Sequence, residues 1–167
     1  MTGSLNINGD WPFSFRRHEG AERRDIAADW ADVGIPHSFS LPDFREELFY
    51  VGHGCYSRVL DIDPAWLGHW IALEFLGVFQ KAEVFLNGQL VGSHRGGYTP
   101  FLIDLSHVAR AGENHLFVRV DNLWDARLAP RAGDYSFTGG IYGDVAVLMG
   151  ERVRVDWQGI GVTSAGV

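Results

Sequence analysis

The sequence predicts an all-β fold in which antiparallel sheets pack as a jelly-roll sandwich, and three observations point there. Twenty-one glycines are spread along the chain with only six prolines, which is typical of short strands joined by tight turns. Aromatic residues, which favour strands, make up 13% of the chain. Asn87-Gly88 stands between two apolar runs and predicts a hairpin, because a type I′ turn needs positive φ at both central residues. We expect roughly eight to ten short strands and few helices.

Composition limits the possible partners. A length of 167 residues suits one domain with a short extension. The net charge of -7, without a basic run, argues against a nucleic-acid partner. No apolar run reaches the length that spans a membrane, and the lone Cys55 excludes an internal disulfide. The histidines lack metal-ligand spacing and no phosphate loop is present, so neither a metal nor a cofactor is expected.

The first forty residues predict a strand, a charged loop and a strand or loop at an edge. Trp11, Phe13 and Phe15 alternate as in a strand, and residues 19–29 are charged and predict a loop with at most one helical turn. Pro36 interrupts the apolar run 30–39. Because proline cannot donate to a ladder, this run is either an edge strand or a loop across the sandwich. Residues 1–8 lack the charged and apolar regions of a signal peptide, which favours a cytoplasmic location.

The central part of the chain predicts strands on each side of a helical turn. Residues 50–62 predict a pair of strands, with Tyr56, Arg58, Leu60 and Ile62 on one face. Residues 65–67 predict a single helical turn. Residues 70–75 then alternate, with Ile71, Leu73 and Phe75 facing one way.

The later part predicts further strands and one long loop. Residues 106–111 predict a short helical turn with Ser106 as its N-cap and Val108 facing inward, and 111–114 predict a turn. A strand with Leu116, Val118 and Val120 on one face follows. Residues 122–138 form the longest stretch without periodicity, which is typical of a functional loop. Residues 141–149 predict a strand, and 153–157 predict either another strand or a linker.

Six motifs occur in a fixed order, and together they carry a family resemblance. Between about Trp11 and Met149 the chain resembles the N-terminal sugar-binding jelly-roll domain of glycoside hydrolase family 2, which includes β-galactosidases, β-glucuronidases and β-mannosidases. Each motif alone is weak, whereas six in order are specific. The motifs are Gly54-Cys55-Tyr56-Ser57-Arg58, the two runs Phe75–Val78 and Ala82–Gly88, Val91–Phe101, Ala111–Asn114, Val118–Asn122 and Gly139–Val145.

The resemblance implies a division of labour within a larger protein. In the family this domain precedes an immunoglobulin-like sandwich and a (β/α)8 barrel that carries two catalytic glutamates of a retaining mechanism. Such a barrel needs roughly 250 residues, so it cannot fit in this chain. We therefore expect a jelly-roll domain at 1–150, then a linker and the start of an immunoglobulin-like domain at 151–167. The expected partners are a β-glycoside and the remaining domains of a parent glycosidase, and the chain alone is expected not to be catalytic.

The resemblance also suggests substrate-binding residues. Asp134 matches the aspartate that reaches the sugar in β-galactosidases, and Tyr135 and Arg95 are the other candidates. A carboxylate accepts strong hydrogen bonds from two sugar hydroxyls. For Arg95 the more common role is turn chemistry, with the guanidinium satisfying loop carbonyls, and a solvated carboxylate would explain Asp134. His37 is expected to be a partly buried, hydrogen-bonded histidine. The family commonly has arginine at the position of Gly143.

Three functions remain open from the sequence. The first is an accessory domain of a family 2 glycosidase, which lends a loop to the substrate pocket. The second is a free-standing carbohydrate-binding module, which predicts sugar affinity and an exposed aromatic platform. The third is a structural sandwich, which predicts no sugar binding and a large apolar surface patch.

Overall fold

The computed structural model describes residues 3–15, 30–39, 50–128, 139–157 and 159–160. Within these ranges the regular structure consists of β-strands and a 3₁₀ turn at Pro64–Trp66, so the all-β prediction is confirmed. The described strands number twelve, more than expected, because several are only two to four residues long. They are β1 Gly3–Asn6, β2 Trp11–Ser14, β3 Ala31–Val33, β4 His53–Ile62, β5 Trp70–Phe75, β6 Val78–Phe79, β7 Lys81–Leu86, β8 Gln89–Arg95, β9 Phe101–Asp104, β10 Gly112–Asp121, β11 Gly140–Ile141 and β12 Val145–Gly150.

Two antiparallel sheets make the jelly-roll sandwich. One has the strand order β1-β12-β5-β9, the other has the order β3-β2-β4-β10-β7-β8, and a short ribbon joins β11 to β6. Both sheets contribute to a single apolar core. Its largest fully buried side chains are Trp11, Tyr56, Phe75, Ile62, Ile71, Leu73, Leu86, Leu105, Leu116, Ile141, Val78 and Val84.

The register of the six-stranded sheet decides which residues face outward. Val118 of β10 lies opposite both Tyr56 of β4 and Val84 of β7, and all three side chains are buried in the core. Side chains alternate between the two faces of a strand. The next row, which includes Arg119 and Glu83, therefore projects from the outer face of this sheet.

The hairpin predicted at Asn87-Gly88 is confirmed. The two residues have φ values of 51° and 87° and connect β7 to β8. The Asn87 side chain adds a tie to β10, because its Oδ1 accepts a hydrogen bond from the His115 N–H at 2.9 Å. Its Nδ2 donates to Asn114 Oδ1, also at 2.9 Å.

The strand pair predicted for residues 50–62 is wrong, because these residues contain one strand. β4 runs from His53 to Ile62 and pairs with β10 along its whole length. Gly54 lies within β4, where glycine allows close packing. A Cβ at Gly54 would lie 2.1 Å from a ring carbon of Phe39.

The single strand predicted at 141–149 is also wrong. The chain pairs with β6 as β11, and it resumes as β12 beside β5. At the break, Gly143 N–H donates to Gly77 O at 3.0 Å. A Cβ at Gly143 would lie 2.4 Å from the Gly77 nitrogen, so the backbone here leaves no room for a side chain at a position where the family commonly has arginine. The inward positions Val145 and Val147 are buried as predicted.

The short helical turn predicted near residues 106–111 is present, because Ala109 N–H donates to Leu105 O at 2.9 Å, but Ser106 is not its N-cap. The Ser106 hydroxyl accepts a hydrogen bond from the Ile71 N–H at 3.0 Å, and Asp104 Oδ1 accepts one from the Ser106 N–H at 2.8 Å. Val108 packs against the core as predicted. β10 begins at Gly112, inside the segment that was predicted as a turn.

The N-terminal predictions agree with the structure where it describes them. β2 contains Trp11 and Phe13, and β3 is the edge strand of its sheet, with Pro36 in the loop that follows. The 3₁₀ turn confirms the helical turn predicted near residue 66. The charged loop predicted at 19–29 lies outside the described residues.

The segment after β12 contains no strand among its described residues and contacts both ends of β5. Trp157 Nε1 donates to Glu74 Oε1 at 2.8 Å, and the Arg154 guanidinium lies 3.8 Å from the centroid of the Trp70 ring. For residues 153–157 this agrees with a linker. A domain division at residue 150 stays a prediction, and the immunoglobulin-like start falls largely on 161–167, outside the described residues. In the described ranges no helix is long and apolar enough to span a membrane.

Candidate functional site

One end of the six-stranded sheet brings polar residues from four strands into a row. β4 and β7 begin there, at His53 and Lys81, whereas β8 and β10 end there, at Arg95 and Asp121. In the ladder, Asp121 is opposite His53 on one side and Lys81 on the other, and Lys81 is opposite Arg95. The predicted residue Arg95 therefore lies at this end.

Described residues near positions 40–49 and 129–138 are also held at this end of the sheet. Asn122 is 4% exposed and follows β10 directly. Its Oδ1 accepts a hydrogen bond from Gly52 N–H at 2.8 Å, and its Nδ2 donates to Tyr50 O at 2.8 Å. The Tyr50 hydroxyl donates in turn to Phe15 O at 3.0 Å.

Backbone pairing fixes the residues just after position 138. Phe39 N–H donates to Gly139 O at 2.8 Å, and His37 N–H donates to Ile141 O at 2.7 Å. Gly139 is glycine because a Cβ there would lie 2.4 Å from the Phe39 ring. These residues pack on an aromatic cluster of Phe13, Phe15, His37, Phe39, Tyr50 and Tyr56.

The histidine in this cluster is hydrogen-bonded, as predicted. His37 Nδ1 lies 2.9 Å from the Tyr56 hydroxyl, which also lies 3.4 Å from Ile141 N. Burial lowers the pKa of His37 and raises the pKa of Tyr56, so both side chains are held neutral. The hydrogen bond of this pair ties His37 to β4.

A cluster of charges lies beside the row, and we call it the Asp125 clasp. Asp125 Oδ2 is 2.8 Å from Arg95 Nη2 and 3.5 Å from Lys81 Nζ, while Oδ1 is 3.0 Å from Arg127 Nε. Hydrogen bonds from Arg127 are the main reason that the pKa of Asp125 lies well below its usual range. The clasp ties residues 125–127 to β7 and β8. Arg95 is thus bound to a carboxylate and not to loop carbonyls.

A groove of about 280 Å³ opens on the outer face of the sheet next to the clasp. Its polar lining includes three cations, two carboxylates and a hydroxyl: Lys81, Arg95, Arg119, Glu83, Asp121 and Ser93. Arg119 Nε donates to Glu83 Oε2 at 2.7 Å. Such a surface can hydrogen-bond a small, strongly polar molecule on several sides.

The predicted substrate-binding residues are only partly described. Arg95 lies at the groove and in the clasp, whereas Asp134 and Tyr135 fall outside the described residues. Among the residues that the structure describes, no group of three or more metal-ligating side chains comes together. Sequence reasoning missed Lys81, Glu83 and Asp125. One signal was available, because Lys81 is the only lysine in the chain.

Comparison with known proteins agrees with this architecture. Residues 25–150 match the family model described as the sugar-binding domain of glycosyl hydrolases family 2. A beta-glucuronidase of Bacteroides fragilis is 34% identical over 89% of this chain, and a beta-galactosidase of Thermoanaerobacterium thermosulfurigenes is 33% identical over 96%. The crystal structure of Bacteroides uniformis beta-glucuronidase superposes with a TM-score of 0.81 at 30% identity over 89% of the chain.

Each comparison covers most of this chain but only a small part of the relative. This chain spans 21% and 24% of the two curated relatives and 18% of the crystallised chain. The match therefore concerns one domain of those larger proteins. With a family model that covers most of its length, the chain belongs to glycosyl hydrolase family 2, as its sugar-binding domain.

Proposed function

We propose that this chain is the sugar-binding domain of a β-glycosidase that acts on β-galactosides or β-glucuronides. The relatives bear the names beta-glucuronidase and beta-galactosidase, which supports this substrate class. The catalytic glutamates would belong to a barrel domain of the parent protein. In this proposal the domain acts as a rigid support that presents a loop to the substrate.

The observation that carries the proposal is the anchoring of the loop base. Asn122 and Gly139, on either side of residues 129–138, are both held by buried packing and hydrogen bonds at one end of the sandwich. A rigid base lets a short loop present a side chain accurately. We infer that Asp134 accepts hydrogen bonds from the sugar hydroxyls, with Tyr135 beside it, and that Arg95 either meets the substrate or braces the loop through Asp125.

Two assays test the proposal. The chain alone should not hydrolyse chromogenic β-galactoside, β-glucuronide or β-mannoside, and turnover by the purified chain would refute it. In the whole glycosidase, Asp134→Asn should lower kcat/KM by about 10-fold to 100-fold, which is the value of a charge-assisted hydrogen bond. Asp61→Asn, at an exposed position of β4, is the matched control and should leave kcat/KM unchanged.

A second candidate function is favoured by the groove on the outer face. A carbohydrate-binding module that works without a hydrolase partner would need a site of its own, and a polar groove of about 280 Å³ offers one. Trp124 and Tyr98 are 68% and 63% exposed and could act as stacking platforms. Calorimetry of the chain with free sugars separates this function from a purely structural sandwich.

A further inference from the structure

The groove contains an ammonium group that makes no short hydrogen bond to its neighbouring carboxylates. Lys81 Nζ lies 3.8 Å from Asp121 Oδ1 and 3.5 Å from Asp125 Oδ2. Hydrogen bonds of this type are normally 2.7–3.2 Å long, so neither contact is a good one. Three quarters of the Lys81 side chain is nevertheless covered, with 25% exposed. A largely covered ammonium group with unused donor capacity is suited to a ligand.

The charge of the groove is opposite to that of the whole chain. Its lining and the adjoining Asp125 clasp together hold four cations against three carboxylates, namely Lys81, Arg95, Arg119 and Arg127 against Glu83, Asp121 and Asp125. The local balance is therefore +1, whereas the chain as a whole carries -7. An excess of cations in a concave polar surface attracts an anion.

The other polar groups of the groove, and the volume of the groove, indicate the rest of the ligand's chemistry. Glu83 and Asp121 accept hydrogen bonds, and the Ser93 hydroxyl both donates and accepts, which matches several neighbouring hydroxyl groups. A volume of about 280 Å³ is at the lower end of small-molecule sites, so the groove accommodates one ring and not an extended chain.

We propose that this groove binds a single sugar ring that carries a carboxylate, with Lys81 bound to the carboxylate and the acidic side chains bound to the hydroxyls. The inference rests on the proposed function, since it specifies which sugars the domain takes. It places the binding residues on β7, β8 and β10, and it does not require Asp134.

The test is calorimetry of the purified chain with sodium D-glucuronate, sodium D-galacturonate, D-galactose and sodium acetate. At least one uronate should bind saturably and more tightly than galactose or acetate. Lys81→Met, which removes the charge and keeps an unbranched side chain one atom shorter, should weaken uronate binding at least tenfold. Arg110→Met removes a cation at the opposite end of β10 and should leave binding unchanged. Circular dichroism melting confirms that each variant is folded.

The outcomes separate this proposal from the function on which it rests. Absence of uronate binding by the natural chain would overturn the proposal that the groove binds a uronate. Lys81→Met that binds uronate as tightly as the natural chain would overturn it too. Acetate that binds as tightly as the uronates would overturn a sugar ligand. Binding that is lost in Asp134→Ala but kept in Lys81→Met would overturn the groove and leave the loop proposal standing. Binding that is kept in Asp134→Ala and lost in Lys81→Met supports the groove.

Discussion

Asn122→Ala should be one of the most damaging single changes at the base of the loop. The Asn122 amide accepts from Gly52 N–H and donates to Tyr50 O, both at 2.8 Å, and the residue is 4% exposed. Alanine offers neither a donor nor an acceptor. The variant therefore leaves the Gly52 N–H and the Tyr50 carbonyl without these partners in a partly buried position.

The size of the effect follows from those two groups. A buried polar group that loses its partner costs about 1–3 kcal/mol, and the lower limit applies to each of these partly buried groups, so the free energy of unfolding should fall by about 2 kcal/mol. In a chain of this length each kcal/mol lowers Tm by about 2–4 °C, and this loss thus corresponds to a fall of about 4–8 °C.

Urea denaturation followed by tryptophan fluorescence measures the effect directly. Asn6→Ala is the matched control, because the Asn6 side chain accepts a hydrogen bond from Asn8 N–H at 3.0 Å in an exposed position. The control should change the free energy of unfolding by no more than about 0.5 kcal/mol. A loss in Asn122→Ala as small as the loss in Asn6→Ala would show that the amide does not hold the loop base.

Three further predictions concern backbone shape and pH. Gly140→Ala should lower the free energy of unfolding by at least about 2 kcal/mol, since φ is 128° and a Cβ would lie 2.5 Å from His37 O. Gly9→Ala is the control, because a Cβ there meets nothing within 4 Å. Equal losses in the two variants would contradict the reasoning. Because the pKa of Asp125 is lowered, its contribution to stability is complete above the usual value of 3.8 and is lost as the pH falls through the lowered pKa. Asp125→Asn should therefore flatten the acid limb of a Tm-against-pH curve, and an unaltered limb would count against the clasp. Burial lowers the pKa of both His37 and His94, so the unfolded chain takes up more protons at these residues as the pH drops below the usual value of 6.5. Urea titrations should therefore show a free energy of unfolding that falls below pH 6.5. A free energy that stays level between about pH 7.5 and about pH 5.5 would contradict this prediction.

The parts of the fold that the sequence predicts well are those with local signals. The hairpin at Asn87-Gly88 depends on two adjacent residues that tolerate positive φ, and the structure has it as expected. The alternation of Ile71, Leu73 and Phe75 depends on the period of a strand, and all three are buried. Burial on one face leaves a repeat of two in the sequence, whatever the partner strand is.

The parts that were missed depend on distant residues. The sequence gives no sign that Gly54 packs against Phe39, and Gly143 was predicted as part of a strand although it lies against Gly77. No local pattern reports a close approach between segments so far apart in the chain. For the same reason the sequence does not indicate that the chain pairs with β6 at β11 and with β5 at β12.

The candidate site was only partly predictable for the same reason. Asp125 binds Arg95 and Lys81 across 30 and 44 positions of sequence, and charge patterns in a non-periodic loop do not indicate such partners. Arg95 was selected through the family resemblance, and the structure brings it to the groove. The roles of Asp134 and Tyr135 stay predictions.

The position of β12 has a consequence for biosynthesis. β12 separates β1 from β5 in the four-stranded sheet, so among the described strands β1 pairs only with a strand that lies about 140 residues later. A nascent polypeptide cannot complete this sheet until residue 150 has left the ribosome. Contacts between such distant segments form slowly. The emerging chain must therefore keep β1 and the edge of β5 from pairing with other molecules until its last described strand arrives.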